Sequence, residues 1–235
     1  MSDQVFEASE IPRSLWDPAH VHSRADLPKG QLRLPARLEQ AYLEALHETG
    51  LIDPASNPSS RESGEIGEQG AEGARQHFAT RFSGSCARIQ LFALDPHQTF
   101  KTTRQALALL FSAGKVRLLD IPLGAGAGAV ALLSLIAELR SEGNRILPRF
   151  DLDVQVVGGD HNSHQIVLAE LVFQKLRPWW LEQGINATLE TMNWDILSDE
   201  QTEDLVHLWE GGLIPRKRGL TLAFCTLCNI FRITC

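Results

Sequence analysis

No apolar run in this sequence is long enough to cross a bilayer. The longest, around Ala125–Ala137, is broken by glycines and falls short of the roughly 20 residues a spanning helix needs, so no membrane span is expected. Cysteine is scarce as well. Cys86, Cys225, Cys228 and Cys235 are too few and too unevenly placed for a disulfide framework. Cys225 and Cys228 form one C-x-x-C, but zinc wants four ligands and no second pair stands at metal spacing, so buried thiols are expected and a metal is not. Positive charge is also short: 22 Lys and Arg against 29 Asp and Glu give a formal net charge of −7, which argues against a surface built for nucleic acid. A short basic run, Pro215–Gly219, reads as a solvated turn. The opening residues lack the basic segment followed by an apolar one that marks a secretory leader, so a cytoplasmic location is expected. No internal repeat is visible.

What is present is 43% hydrophobic residues over 235 positions, enough for one sizeable core. Residues 1–32 carry prolines and no sustained period and read as irregular. Leu34, Leu38, Tyr42, Leu43 and Leu46 fall near helical spacing, with Gly50 as a stop. Asp53–Ala74 is rich in Ser, Gly, Glu and Pro and reads as a mobile loop, having little to bury. His77–Leu94 is expected to be helical in part and Thr99–Ala113 helical. From there strand-like and helix-like runs alternate: Val116–Ile121, Ala127–Arg140, Asp153–Gly158, His164–Trp180, Ala187–Met192, Asp199–Glu210 and Leu220–Cys225. That rhythm predicts an α/β fold, a mostly parallel sheet with helices on both faces. Residues 1–113 would form a mainly helical N-terminal region and residues 114–235 the sheet domain. Pro178–Trp180, at a predicted helix end, reads as packing.

The chemistry is expected at "LLDIPLGAGAG", Leu118–Gly128. A strand ends in Asp120, and glycines alternate with alanines before the next helix. At the carboxyl edge of a parallel sheet such glycines let the chain turn tightly and let a ligand approach closely. The helix that follows offers unpaired N–H groups. No G-K-[ST] ends the loop, so it is not a phosphate-cradling P-loop. Gly124, Gly126 and Ala129 satisfy the permissive G-x-G-x-x-G/A dinucleotide pattern, which keeps an NAD(P)-dependent oxidoreductase open. Asp120, inside the site, suits a ligand with an ammonium and hydroxyls better than a pyrophosphate.

This stretch resembles the first motif of class I S-adenosylmethionine-dependent methyltransferases, an acid followed by G-x-G-x-G. Asp120 matches the acid, Gly124 and Gly126 the second and third glycines, and Pro122 stands where the first glycine is usual. "VQVVGGDHNSHQIVLAE" is similar to the family's second strand and its ribose-binding acid, which implies that role for Asp160, with His161 and Asn162 beside the adenosine. "TMNWDIL" resembles the segment after the third strand. It implies Asn193, Trp194 and Asp195 around the adenine, with Asp195 on its amino group and Trp194 or Ile196 over the ring. The resemblance implies a Rossmann-like sheet and a small-molecule cofactor, S-adenosylmethionine. The methyl acceptor and catalytic residues stay unassigned, because "CTLCNIF" after the fourth strand matches no common acceptor-site pattern. The implied sheet has seven strands in which the order begins third, second, first, fourth. Four are readable before Cys235, so a truncated member, or a binding module without turnover, is also an expectation. Leu220–Cys225 would then be an apolar edge inviting self-association.

Overall fold

The computed structural model describes residues 10–22, 29–57, 70–112, 114–141, 150–211 and 220–222. Pro215–Gly219, Cys225, Cys228 and Cys235 lie outside these, as do residues 58–69 of the expected loop and residues 223–225 of the expected last strand. The described elements are β1 (Trp16–Asp17), β2 (Gln31–Leu32), α1 (Ala36–Thr49), α2 (Ile52–Ser56), α3 (Gly70–Leu94), α4 (Lys101–Phe111), β3 (Lys115–Asp120), α5 (Ala127–Ser141), β4 (Leu152–Asp160), α6 (Ser163–Glu182), β5 (Ile185–Asn193), α7 (Asp199–Gly211) and β6 (Leu220–Leu222).

The fold is α/β. Its sheet runs β5-β4-β3-β6 with every pair parallel, so the carboxyl ends of the strands share one edge. The order expected for the four readable strands is the order observed. β1 and β2 form a separate antiparallel pair within the segment read as irregular.

Side-chain alternation divides the sheet into two faces. Val116, Leu118, Val154, Val156, Ile185 and Ala187 join one core with α5 and α6 and with residues from α1 and α3. α5 is buried almost all round, as a helix must be when it lies between a sheet and a further helix layer. On the other face Val157, with Leu119 and Ile121 against it, packs with Trp194 and with Leu205 of α7. Farther from the carboxyl edge that face is polar. Arg117 donates to the backbone carbonyl of Trp209 and to Gln155 Oε1 (2.6 Å), and Gln155 Nε2 donates to Glu190 Oε1 (2.7 Å). Both faces therefore carry helices, but unequally.

Local chemistry explains the boundaries. α1 buries Leu38, Ala41, Ala45 and Leu46, and Gly50 ends it at φ +69°, its N–H on His47 O while Leu51 N reaches Leu46 O. The loop expected over Asp53–Ala74 needs correction at both ends, where α2 covers Ile52–Ser56 and α3 already begins at Gly70. Small side chains are the reason at the second end: Gly73 and Ala74 are buried because α3 lies close against its neighbours there. Trp179 and Trp180 are buried as expected, Trp180 donating to Ser134 Oγ (3.3 Å) and packing edge-on to Phe173. Arg140 of α5 is 2% exposed and donates to the carbonyls of Gln183 and Gly184, capping the end of α6.

Candidate functional site

Asp120 and Asp160 end adjacent parallel strands, and both are buried. The register Asp120↔Gly158 makes β4 reach two residues past β3, so the glycine turn folds in beside the end of β4. The Ile121–Pro122 peptide is cis, and Leu123 N then donates to Gly159 O (2.8 Å), fixing the turn to β4. The two glycines of β4 make this fit possible. A Cβ on Gly158 would lie 2.8 Å from Leu123, and one on Gly159 would lie 2.9 Å from Trp194 Cβ.

The two acids have different partners. Asp120 Oδ2 accepts from Ala129 N (2.9 Å), the third residue of α5. Gly126, in front of that helix, has no side chain to cap it, and Asp120 does so from the strand. Asp160 Oδ2 accepts from Gly124 N (2.7 Å) and its Oδ1 from Asn162 N (2.9 Å), with His161 Nδ1 3.5 Å away. The N-cap of α6 is Asn162, whose Oδ1 accepts from His164 N (3.0 Å). Asp160 thus ties the glycine turn to the β4–α6 turn.

The glycines separate in role. Gly124 has φ +53° and nothing within 4 Å of where a Cβ would stand, so this part of the turn is open. Gly126 has φ +77°, and a Cβ there would meet Ala169 Cβ of α6 at 3.0 Å. At Gly126 the neighbour that a side chain would meet is therefore helix α6.

The third expected segment divides in the same way. The Asn193 amide, with its nitrogen turned toward β4, donates to the carbonyls of Asp160 and His161 (3.0 Å each). Trp194 is buried with Val157 and Leu205, and its Nε1 donates to Thr202 Oγ1 (3.1 Å). Asp195 is exposed, and its Oδ1 accepts from Leu197 N (2.9 Å) in a turn before α7. Ile196 and Leu197 are exposed beside it. Asp120, Pro122, Gly124, Gly126, Asp160, His161 and Asn193 therefore meet at one edge. The Trp194 ring belongs to the core under α7, and Ile196 and Leu197 are the apolar side chains exposed beside Asp195.

Reasoning from the sequence expected a helix over part of His77–Leu94 but not its place beside the glycine turn. His77, Phe82, Ser85 and Ile89 face Pro122–Gly128 across a cavity of about 30 Å³. Asn162 Nδ2 donates to Gly70 O (3.1 Å), and Gln165 Nε2 lies 3.3 Å from His77 Nδ1. Period alone carries no sign of such long-range contacts, though a histidine on an apolar helix facing a glycine-rich segment was a signal available. Cys86, on the same helix, is buried with its Sγ 3.7 Å from Ala127 O; burial, reinforced by the charge of Asp120, pushes its thiol far above the usual range. A much larger concavity, about 780 Å³ and wide open, lies between α1 and Lys175 of α6. It shares no residue with the glycine turn, and Lys175 there is paired with Glu48 (2.7 Å). The smaller cavity is the one beside the acids and the open glycine.

Among the described residues no group of three His, Cys, Asp or Glu could hold a metal, and no helix is long and apolar enough to cross a membrane. No protein-family model matches the sequence, and no curated protein matches it.

Proposed function

We propose that the segment from β3 onward is a Rossmann-like domain that binds S-adenosylmethionine and transfers its methyl group to an acceptor. One observation carries this reading: two acids end adjacent parallel strands on either side of an open glycine turn. The chain proceeds from β3 outward to β4 and β5 and then returns to β6 on the other side of β3. The turn after β3 thus lies at a topological switch point, where α/β sheets bind ligands.

The residues fit the group. Asp160 is engaged by two N–H donors, and a carboxylate has about four acceptor positions, so it can still take two ribose hydroxyls. Gly124 leaves the approach to Asp160 clear. His161, half-exposed next to Asp160, and Asn193, which holds the ends of β4 and β5 together, flank the same opening. The sulfonium supplies an already activated methyl group, so the protein's contribution is alignment and exclusion of water. Asp160 and the Gly124 backbone would fix the nucleoside, and Asp120 would add negative potential near a cationic ligand. A cytoplasmic location and a small-molecule cofactor belong to this reading.

The dinucleotide alternative meets a specific obstacle. A pyrophosphate uses the free N–H groups at the start of the helix, and Asp120 already accepts from Ala129 N there. At about 4 Å each like-charge pair would cost about 4 kcal/mol at an effective dielectric constant of 20. Titration calorimetry with S-adenosylhomocysteine and with NADH tests the choice. Binding of the first and not the second is expected, and the reverse result would replace the proposal.

A further inference from the structure

We propose that β5 and α6 form the interface of a homodimer, in which β5 pairs antiparallel with β5 of a second copy and the two sheets become one. Among the described residues no strand lies on the outer side of β5. The pairing with β4 fixes which of its groups face outward. Gly184 O accepts from Leu152 N and Trp194 N donates to Asp160 O (2.9 Å each), so the even-numbered residues turn their backbone groups toward β4. Ile185, Ala187, Leu189, Thr191 and Asn193 therefore present theirs outward. Natural edge strands are blunted by proline, charge or a bulge. This strand of nine residues has no proline and one charge, Glu190.

A second copy fits the edge by symmetry. A two-fold axis at Leu189 uses the whole strand, with Leu189 facing its own copy, Ala187 facing Thr191 and Ile185 facing Asn193, each pair able to exchange N–H···O bonds. Glu190 then stands opposite Thr188, whereas an axis at Glu190 would set two carboxylates opposite each other. α6 obeys the same axis. Thr191 Oγ1 donates to Glu170 Oε1 (2.8 Å), which levels that turn of the helix with the strand. Leu189 lies about 6.6 Å back along β5. α6 joins two parallel strands and so runs the opposite way, at about 1.5 Å per residue. Gln174 is therefore level with Leu189. An axis there sets Val167 against Leu181 of the second copy, and Glu170 beside its Arg177.

The exposed side of α6 matches that arrangement. Val167 and Leu181 are 61% and 62% exposed, and with exposed Gln174 and Pro178 they form one stripe at helical spacing. α6 lies over β5 more than over β4, and α1, α3 and α5 pack against it elsewhere, so the stripe is on the side of the open edge. The rotation that joins the strands thus brings apolar side chains together and an acid to a base.

Sedimentation velocity of the full chain over a concentration series reads the dimer directly, and wild-type protein is expected to form it. Glu170→Arg brings a cation beside Arg177 of the second copy at two symmetric places, and should weaken dimerisation about tenfold. Arg177→Glu should do the same by pairing two acids. The double variant Glu170→Arg/Arg177→Glu restores opposite charges and should recover the affinity, which a role confined to one copy's fold would not produce. Gln174→Cys, at the axis, should join two copies under mild oxidation, seen by mass mapping as its peptide linked to itself. Wild-type protein that stays monomeric at every concentration overturns the proposal. So does a dimer that neither single variant weakens, one whose weakening the double variant fails to reverse, or one in which that link does not form.

Discussion

Gly126 and Gly124 are two residues apart in one turn, both at positive φ, yet a methyl group at each should have different consequences. At Gly126, Gly126→Ala places a side chain at φ +77° and sets its Cβ 3.0 Å from Ala169 Cβ. The left-handed conformation costs about 1–2 kcal/mol. Carbon atoms prefer separations of about 3.5–4.0 Å, so the turn and α6 must part by about 0.5 Å or more, and overpacking of that kind costs about 1–3 kcal/mol. The sum is about 2–5 kcal/mol, a melting-temperature fall of about 4–20 °C for a chain of this size. Gly124→Ala carries only the conformational cost, because nothing stands within 4 Å. It should lower the melting temperature by about 2–8 °C. Because these ranges overlap, the decisive measurement is a double-mutant cycle with Ala169→Gly, followed by urea unfolding. Removing the Ala169 methyl should recover the overpacking part, giving a favourable coupling of about 1–3 kcal/mol with Gly126→Ala and none with Gly124→Ala. Strictly additive effects at Gly126 would refute the packing explanation and return that glycine to the ligand.

Further consequences follow from individual contacts. Asp160→Ala leaves the N–H groups of Gly124 and Asn162 without their carboxylate, and each lost charged bond is worth about 1.5–3 kcal/mol. A loss of about 3–6 kcal/mol in chemical denaturation is expected, together with at least tenfold weaker binding of S-adenosylhomocysteine below the melting range. Unchanged binding in folded protein would remove Asp160 from the site. Arg140→Met should cost about 1.5–3 kcal/mol, read by urea unfolding, because the carbonyls of Gln183 and Gly184 lose a charged donor, though Gly184 O still accepts from Leu152 N. Cys86 should resist alkylation in the native protein at pH 8 and react on unfolding, as followed by mass mapping of its peptide. Its folded pKa is raised, so above about 8.5, where a free thiol ionises, the unfolded state loses a proton that the native state keeps. Stability should therefore fall by about 1.4 kcal/mol per pH unit from this group alone. The slope is measured as wild type minus Cys86→Ala, and an identical pH dependence in both proteins would contradict the assignment.

Legibility varied with the range of the interaction. Val116–Ile121, Asp153–Gly158 and Ala187–Met192 were readable as strands because their apolar character and turn residues are local, and each lies over a strand of the sheet. Gly50 announced the end of α1 for the same reason, since a left-handed cap is a property of one residue. α3 was half missed because its start, Gly70–Ala74, has the composition of a loop, and only neighbours distant in sequence make small residues useful there. Trp194 was legible as an aromatic beside an acid, but not as a core residue. Its burial depends on Gly159 lacking a side chain and on α7 arriving over it. The strand-end positions of the acids could be read from order alone, whereas the atoms that hold their carboxylates could not.

Those partners change what a binding measurement at this edge means. Asp160 is at once the residue proposed to hold a ribose and the residue that ties Gly124 to Asn162. A ligand hydroxyl arriving there adds to a carboxylate already polarised by two short backbone bonds, so ligand affinity and the order of the turn are coupled through one side chain. Asp120 behaves differently. Its charge is directed at the start of α5, where it satisfies the helix and keeps anions away. In the proposed reading one acid holds the turn that receives hydroxyls, and the other, on the start of α5, disfavours a phosphate there. That division is the physical ground on which a cationic nucleoside is proposed in preference to a dinucleotide. Substitutions at Asp160 are therefore judged by ligand binding and stability together.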